Sequence, residues 1–483
     1  MTLHRRDFLK GCCVSALAAG TGSRARAYFD PTGLLPSAAT GDTLVVVFLR
    51  GAMDGLSLLP PGASSPYRND YETDRKRQNF SAGVYGGTQV PASGDSTVAA
   101  AARGLTLANS TWELHPRASG LRALYQGGHA AFVVGAGQMR PDPVVRSHFE
   151  AQSNLEFGFG GGTGNNVGWL TRHLISGGLP ANVSLPATSM GSLTASSLLG
   201  STDAITMNSG SDFRLDTFHW SWQNDDTSHG LVGAVSRMNA LWSGSGTLLE
   251  SAGAEALGSL ALLRPIDFNP YDATNHPNGY QPTGGANYAT SGSFGSQLRN
   301  VAQMIKLNLG LRAVTIDLGN WDTHVGQGNP TQSYDWFGNQ VQSLSDGLAA
   351  FYADLAGGTR NFMQNVNVLV VSEFGRRVLE NDDGGTDHGY GNVMIALGGA
   401  VNGGTVYGTY AGLASDQLFE GNDVAVTTDY RQIVAEALVR RMGNPNVYYV
   451  FPGYENYTPL GVFQGTDLPP SGFDAIFANG FDG

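Results

Sequence analysis

Four predominantly apolar runs constrain the fold of this chain more than any other feature of its sequence. They cover residues 43–49, 130–134, 313–318 and 366–371. Runs of β-branched and aliphatic residues without polar alternation are typical of strands that are buried on both faces, as in a parallel sheet. Between them, apolar residues recur at three- and four-residue spacing, which predicts helices over 117–126, 229–242, 297–310 and 338–355. Strands that alternate with helices predict an α/β domain with a mostly parallel sheet.

Glycine accounts for 67 of the 483 residues, which predicts many loops and tight turns around this sheet. We expect a glycine-rich loop at 157–164 and a peripheral insertion, rich in serine and threonine, at 184–228. One large domain is expected over residues 42–465, after a leader at 28–41. A Pro-Pro-Ser linker then leads into an aromatic and acidic tail, so that residues 466–483 follow the domain.

The first 27 residues have the pattern of an export signal. A pair of arginines, Arg5 and Arg6, precedes a small-residue apolar run at 11–20, and the small residues at 25–27 provide a cleavage point. A run of about 10 residues is too short to cross a hydrocarbon layer of about 30 Å. The pattern resembles a twin-arginine signal, with a generic secretory signal as the alternative. The sequence therefore predicts a periplasmic or secreted protein, exported by the twin-arginine pathway.

Cysteine content and charge exclude several classes of site and partner. Both cysteines, Cys12 and Cys13, lie in the predicted signal, so no disulfide, thiolate metal site or cysteine nucleophile is expected in the mature chain. Residues 1–27 carry a net charge of +4 within a total of −12, which leaves −16 on the remainder. A body this acidic repels phosphate backbones, so nucleic acid is not expected as a partner. No other apolar stretch has the length of a transmembrane segment.

Polar residues follow all four predicted strands, at the sheet edge where ligand sites collect in open α/β folds. The residues that these strand ends bring together are Asp54, Ser147, His148, Asp322, His324, Glu373, Asp387 and His388. Three of the ten histidines of the chain are among them. Because carboxylates and imidazoles together bind divalent ions, we expect a bound ion, either Zn²⁺, Mn²⁺ or Ca²⁺. Arg50, Arg376 and Arg431 are candidates for clamping an anionic substrate.

Several of these residues also have a purely structural interpretation. Asp54 precedes a glycine and is typical of a turn. Ser147 and Glu150 have the spacing of a capping box at the start of a helix. Asp322 and His324 are two residues apart, so in an extended segment both side chains point to one side and can share an ion. The alternative for this pair is a turn that caps the next helix.

Eight short motifs occur in order along the chain. They are Arg50-Gly-Ala-Met-Asp54-Gly-Leu, Leu114-His115-Pro116, Arg146-Ser-His-Phe-Glu-Ala-Gln152, Trp321-Asp-Thr-His324, Ser372-Glu-Phe-Gly-Arg376, Gly385-Thr-Asp-His-Gly389, Gly398-Gly399 and Thr428-Asp429-Tyr430-Arg431. The series resembles exported bacterial proteins that carry the domain of unknown function 1501. That family looks like a branch of the alkaline phosphatase and sulfatase superfamily. The resemblance implies a doubly wound α/β core of the alkaline phosphatase type, with glycine- and serine-rich insertions and a metal site at the carboxyl ends of the strands.

The resemblance also implies roles for individual residues. Asp322, His324 and His388 would hold a first ion, whereas Asp54 would serve a second ion, with Ser147 at the position of the nucleophile. Two departures count against a complete two-ion site. The superfamily has an Asp-His pair where this chain has Glu373-Phe374, and its counterpart of the Asp322 and His324 pair is spaced by four residues rather than two.

The leading hypothesis is an exported metal-dependent hydrolase of phosphate or sulfate esters, acting on a small anionic or surface-polymer substrate. Ser147 would attack, activated by an ion that contacts Asp54 and Glu373, and Arg376 would stabilise charge on the transferred group. Asp387 is a further candidate ligand, and the residues expected to bind substrate are Arg50, His148 and Arg431. The alternative is a non-catalytic exported protein that keeps the fold, and one structural ion, while it binds a partner or a surface polymer.

Overall fold

The computed structural model describes residues 41–75, 87–139, 144–159, 166–179, 185–209 and 265–471, with a few positions between 241 and 263. These residues form three layers, in which helices pack on both faces of one central sheet. The predicted signal at 1–27, the leader except Gly41 and the tail from residue 472 lie outside the described residues. Within the described ranges, no helix combines the length and apolar character needed to cross a membrane.

The described strands form one large sheet and two small hairpins. In chain order they are β1 Thr43–Leu49, β2 Leu105–Thr106, β3 Glu113–Leu114, β4 Ala130–Gly137, β5 Ala187–Met190, β6 Ala204–Met207, β7 Ala313–Leu318, β8 Val366–Val371, β9 Arg376–Glu380, β10 Thr386–His388, β11 Asn392–Gly398, β12 Val406–Tyr407 and β13 Thr428–Asp429. The spatial order of the large sheet is β12-β4-β11-β8-β1-β7-β5-β6, and β13 also pairs with β4. The hairpins are β2 with β3 and β9 with β10.

All pairs in the large sheet are parallel except those of β11, which runs antiparallel to β4 and β8. The predicted α/β fold with a mostly parallel sheet is therefore confirmed. Because β11 runs in the opposite direction, its first residue, Asn392, lies at the edge where the other strands end. This reversal brings the segment before β11, which contains His388, to the same edge as the loops that follow β1, β7 and β8.

The helices lie between and after these strands. In chain order they are α1 Gly55–Leu58, α2 Arg68–Arg75, α3 Ser119–Gln126, α4 His148–Phe157, α5 Trp169–Gly177, α6 Gly292–Lys306, α7 Trp336–Ala356, α8 Tyr430–Arg440 and α9 Val447–Val450. Side chains of β1 alternate between the two layers. Val45 and Val47 pack in the core that includes α3, α6 and α7, whereas Leu44 and Val46 pack in the core that includes α5, α8 and α9. Both faces of β1 are buried, which is why its sequence has no polar alternation.

The element bounds agree closely with the prediction where the apolar pattern is strong. The strands at 43–49, 313–318 and 366–371 have the predicted limits, and β4 extends three residues beyond 134. Helix α3 begins two residues later than predicted and ends as predicted, and α7 is longer than predicted by two residues at its start and one at its end. Helix α6 begins five residues and ends four residues earlier than 297–310. A left-handed residue, Asn308 at φ 55°, follows α6 and is incompatible with continuing the helix. The helix predicted at 229–242 lies almost entirely outside the described residues.

The prediction that 184–228 is a peripheral insertion is wrong for its first part. Residues 187–190 and 204–207 form β5 and β6, which extend the central sheet beside β7. All four residues of β5 are buried although two of them, Thr188 and Ser189, are polar. The Ser189 hydroxyl accepts a hydrogen bond from Thr315 of β7 at 3.2 Å, which offsets part of the cost of burying it. Short strands with polar residues gave too weak an apolar pattern to be recognised.

Candidate metal centre

Four side chains meet at the carboxyl edge of the central sheet. Asp322 and His324 come from the loop after β7, His148 is the first residue of α4, and His388 ends β10 just before the reversed strand β11. We call these four residues the His–Asp cluster. His148, Asp322 and His388 each present one ligand-type atom within 4.8 Å of the others, and His324 adjoins them. The strand-end rule applied to the sequence thus identifies residues that the fold does bring together.

The separations within the cluster are those of a shared ligand site. The Oδ1 atom of Asp322 is 3.2 Å from Nε2 of His324, 3.4 Å from Nε2 of His148 and 3.5 Å from Nε2 of His388. The Nε2 atoms of His324 and His388 are 2.8 Å apart. Ligand atoms that each lie about 2 Å from one tetrahedral ion are separated by roughly 3.3 Å. His148, Asp322 and His388 come close to this arrangement, and His324 adjoins it beside His388.

The outer nitrogen of each imidazole is held by an acceptor. Nδ1 of His148 is 2.8 Å from Oε1 of Glu373, and Nδ1 of His324 is 3.1 Å from Oδ1 of Asp387. Nδ1 of His388 is 2.7 Å from the carbonyl oxygen of Arg146. A carboxylate or carbonyl can only accept a hydrogen bond, so the proton of each neutral ring is on Nδ1. This leaves the Nε2 atoms of the three rings on the side of Asp322 Oδ1, and an Nδ1 held by an acceptor is typical of metal-binding histidines.

Asp322 is oriented by Arg376 of β9. The guanidinium donates from Nη2 to Asp322 Oδ1 at 2.5 Å, and its other donors reach the carbonyl oxygens of Gly51, Ala52 and Thr386. Burial acts to raise the pKa of Asp322, but the bond and charge of Arg376 outweigh it and hold that pKa below its ordinary value. Arg376 is 2% exposed and lies behind Asp322, at the junction of three loops.

Glu373 and Asp387 lie outside the ligand atoms, behind the rings of His148 and His324. Glu373 accepts from the backbone N–H of Gly51 at 2.9 Å and from the amide of Gln152 at 2.8 Å, besides its contact with His148. Burial acts to raise the pKa of Glu373, but the hydrogen bonds from His148 and Gln152 lower it overall. A hydrogen bond from Asn381, followed by that from His324, lowers the pKa of Asp387.

The pKa values of the His148 and His388 rings shift in opposite directions. The hydrogen bond to Glu373 is the main cause that raises the pKa of His148, whereas burial is the main cause that lowers the pKa of His388. His148 is also stacked on Phe374, with ring centroids 5.1 Å apart, which fixes the plane of its imidazole. Its Nε2 atom is buried and has no hydrogen-bond partner. A buried polar atom without a partner is costly unless a ligand satisfies it.

Asp54, expected to serve a second ion, has different partners. It forms a fully buried ion pair with Arg75, with Nη1 2.5 Å from Oδ2 and Nη2 3.0 Å from Oδ1. Its side chain also accepts from the hydroxyl of Ser57 at 2.7 Å and from the backbone N–H groups at the start of α1. The turn and capping interpretation describes these contacts. Burial raises the pKa of Asp54, but Arg75 outweighs it and the net shift is downward.

The remaining predicted site residues, Ser147, Arg50 and Arg431, have the following surroundings. Ser147 is exposed directly before α4, and its side chain makes no capping hydrogen bond, so the capping box is not formed. Arg50 pairs with Glu156 at 3.1 Å and with Asp317 at 2.8 Å. Arg431 is buried and pairs with Asp429 at 2.7 Å.

Sequence reasoning missed several residues that support the cluster. Gln152, Asn381 and the carbonyl of Arg146 each hold a group of the site in place. Gln152 lies four residues after His148 on α4, one turn along the same face, and this spacing was the available signal. Asn381 is in the β9–β10 hairpin, and the carbonyl of Arg146 carries no signal in the sequence.

Comparison with known proteins gives one match. Residues 271–446 match the family described as "Protein of unknown function (DUF1501)". No curated protein and no solved structure matches the chain. The matched segment contains Asp322, His324 and His388, together with Glu373 and Arg376 that support them. Over these residues the chain is therefore similar to the family of unknown function 1501, as the motifs indicated.

Proposed function

We propose that this protein is an exported metal-dependent hydrolase of phosphate or sulfate esters, with a single ion in the His–Asp cluster. The observation that carries the proposal is the convergence of three Nε2 lone pairs on one carboxylate oxygen, within 3.5 Å in each case. Lone pairs of neutral rings repel one another at such distances unless a cation, either a metal ion or a shared proton, lies between them. An alkaline phosphatase-like core and the family's exported character are part of the same proposal and rest on the resemblance.

The side chains fit a divalent ion in three respects. The buried Nε2 of His148 has no hydrogen-bond partner, although it lies 3.4 Å from Asp322 Oδ1. With neutral imidazoles, the carboxylates of Asp322, Glu373 and Asp387 exceed the one guanidinium of Arg376 by two negative charges. A ligand set dominated by imidazole favours Zn²⁺ or Mn²⁺ over Ca²⁺, which prefers six to eight oxygen ligands. We therefore place Zn²⁺ first, Mn²⁺ second and Ca²⁺ last.

A second ion finds no ligands where the superfamily pattern would put them. Asp54 is neutralised by Arg75, and Glu373 is occupied by Gly51, Gln152 and His148. One ion supplies Lewis-acid polarisation of an ester oxygen or an activated water, rather than a clamp on both sides of a phosphoryl group. The proposal is accordingly a single-ion hydrolase.

In this proposal each residue of the site has a separate role. Ser147 is exposed beside His148, and its hydroxyl caps no helix. In the proposal its oxygen attacks the phosphorus or sulfur atom and the alcohol of the ester leaves with a proton; water then releases phosphate or sulfate from the serine and restores the hydroxyl. Asp322, His148 and His388 would hold the ion, with His324 beside them. Arg376 is too deeply buried to touch a transferred group in this arrangement, so we assign it to orienting Asp322. Glu373 and Asp387 keep the rings of His148 and His324 in the tautomer that leaves Nε2 free.

The test uses the mature chain from residue 28. Elemental analysis is expected to find about one Zn²⁺ or Mn²⁺ per chain. Aryl phosphates and aryl sulfates are then assayed with the metal-free protein to which Zn²⁺, Mn²⁺ or Ca²⁺ has been added. Metal-stimulated turnover that falls at least 100-fold in Ser147→Ala supports the proposal, and Ser153→Ala on the same helix is the matched control.

Two results would contradict the enzyme proposal. Turnover absent with all three ions excludes both ester classes as substrates, and turnover unaffected by Ser147→Ala excludes this nucleophile. Bound metal without turnover would instead favour a non-catalytic protein that uses the ion structurally. Export is tested separately, because replacing Arg5 and Arg6 by lysine is expected to retain the precursor in the cytoplasm.

A further inference from the structure

A buried amide, that of Gln327, joins the two loops that carry the cluster. Gln327 is fully buried, and its Oε1 accepts hydrogen bonds from the hydroxyls of Thr323 at 2.8 Å and Thr386 at 3.0 Å. Thr323 stands between Asp322 and His324, and Thr386 stands two residues before His388. The Oε1 atom of Gln327 thus connects the segment that contains Asp322 and His324 to the segment that contains His388.

The other end of the same amide is fixed by the buried ion pair. Nε2 of Gln327 donates to Oδ2 of Asp54 at 2.8 Å and to the hydroxyl of Ser57 at 3.0 Å. Arg75 neutralises Asp54, so the carboxylate is retained in the interior as a charged acceptor. The hydroxyls of Thr323 and Thr386 can donate or accept, but the carboxylate of Asp54 only accepts, so it directs Nε2 toward itself and Oε1 toward the two threonines.

The backbones of the two loops are also paired directly. The N–H of Gln327 donates to the carbonyl of Gly384 at 2.9 Å, and the N–H of Thr386 donates to the carbonyl of Thr323 at 3.1 Å. The N–H of Gly326 donates to the carbonyl of Asp383 at 3.0 Å and the side-chain amide of Asn381 to the carbonyl of His324 at 2.9 Å, so the two segments are paired along their backbones. The side-chain bonds of Gln327 add contacts to Thr323 and Thr386, the residues next to the ligands.

We infer that Gln327, held by Asp54 and Arg75, is the positioning residue that sets the distance between the Asp322–His324 pair and His388. This inference rests on the proposed ion site. It gives Asp54 a role different from the one implied by the superfamily pattern, because Asp54 acts through Gln327 and not on an ion. Residues that orient metal ligands in this way typically change the affinity for the metal by 10- to 100-fold when they are replaced.

The first test removes the four hydrogen bonds at nearly constant volume. Gln327→Met is compared with Gln303→Met, because Gln303 is also buried and also donates to a distant carbonyl, that of Asp267 at 2.9 Å. Binding of Co²⁺ is followed by its visible absorption spectrum. We expect Gln327→Met to bind Co²⁺ 10- to 100-fold more weakly and with an altered spectrum. Gln303→Met should keep the wild-type affinity and spectrum.

The second test isolates one hydroxyl. Thr386→Val keeps the shape of the side chain but cannot donate to Gln327, whereas Thr386→Ser keeps the donor. We expect Co²⁺ affinity to fall in Thr386→Val and to be restored in Thr386→Ser. This pair stays informative if Gln327→Met does not fold. Equal affinity in the valine and serine variants, or a wild-type spectrum in Gln327→Met, would overturn the inference.

Amide hydrogen exchange separates this inference from the proposed function. In metal-free protein, the amides of Gln327 and Thr386 should exchange at least tenfold faster in Gln327→Met than in wild type, and unchanged in Gln303→Met. If wild type binds no Co²⁺, the ion proposal fails, and faster exchange still supports the coupling of the loops. Unchanged exchange at both amides would contradict the coupling whether or not an ion binds.

Discussion

Gly385 packs directly against the carbonyl oxygen of His324. A Cβ atom at residue 385 would lie 2.3 Å from that oxygen and 2.3 Å from the carbonyl oxygen of Thr323. Both contacts are with backbone atoms, which cannot rotate away as a flexible side chain can. The absence of a side chain at 385 is therefore a condition for the distance between the two ligand loops.

Replacing this glycine should separate the loops. We expect Gly385→Ala to lower the free energy of unfolding by about 1–3 kcal/mol, the usual cost of overpacking, and to weaken Zn²⁺ binding at least tenfold. Chemical denaturation and competition with a zinc chelator measure the two effects. Gly94→Ala is the control, because nothing lies within 4 Å of a Cβ built at that position. Equal stability and affinity in both variants would contradict this account of Gly385.

Removing a ligand of the ion should remove the stabilisation that ion binding gives to the folded state. His388→Ala is expected to remove the ion, and with it the stabilisation that binding gives to the folded state, about 2.7 kcal/mol when free ion is 100 times its Kd. Calorimetry with and without added Zn²⁺ measures the shift in Tm. His276→Ala is the control, since His276 pairs with Asp267 at 3.1 Å in another part of the chain. A Tm that still rises with Zn²⁺ in His388→Ala would show that another site binds the ion.

Substitutions in the ion pair of Asp54 and Arg75 should have non-additive effects on the free energy of unfolding. Arg75→Met leaves a charged carboxylate buried without its partner, and we expect a loss of about 3–5 kcal/mol in the free energy of unfolding. Removing both charges in Asp54→Leu with Arg75→Met should cost less than the sum of the two single changes. Urea unfolding of the four proteins completes the cycle. Additive losses would mean that the two side chains do not stabilise each other.

A buried histidine away from the cluster should make the fold sensitive to acid. Burial lowers the pKa of His173 to about 4, and its Nδ1 accepts from the amide of Asn444 at 2.9 Å. Above pH 6.5 the ring is neutral in the folded and unfolded chain. Between pH 6.5 and pH 4 only the unfolded chain takes up the proton, so stability falls as the pH falls. The full effect is about 3 kcal/mol.

His173→Asn keeps an acceptor for Asn444 but does not titrate. We expect its free energy of unfolding to fall by about 3 kcal/mol less than that of wild type between pH 7 and pH 4. Denaturation midpoints across this range measure the difference. The same slope in both proteins would show that His173 is protonated equally in the two states.

The apolar pattern of the sequence was sufficient for the centre of the fold. Strands β1 and β8 have the predicted bounds because burial on both faces requires an apolar or β-branched residue at nearly every position, and β7 has them although its Asp317 is exposed. The rule that ligands bind at the carboxyl ends of parallel strands then selected Asp322, His324 and His388 from the residues that follow them. Both inferences depend on local sequence and on a general property of the fold class.

Tertiary structure alone decided which charged groups meet. Asp54 and Arg75 form a buried pair although Arg75 belongs to a helix with the sequence RNDYETDR, which has the composition of a solvated surface. His148 joins the ligand atoms, and not only a substrate pocket, because the position and rotation of α4 turn its Nε2 toward Asp322. Such contacts join residues far apart in the chain, and their partners are set by the packing of whole elements. Residue type and spacing determine what each side chain can bind, whereas the fold determines which of them share a point.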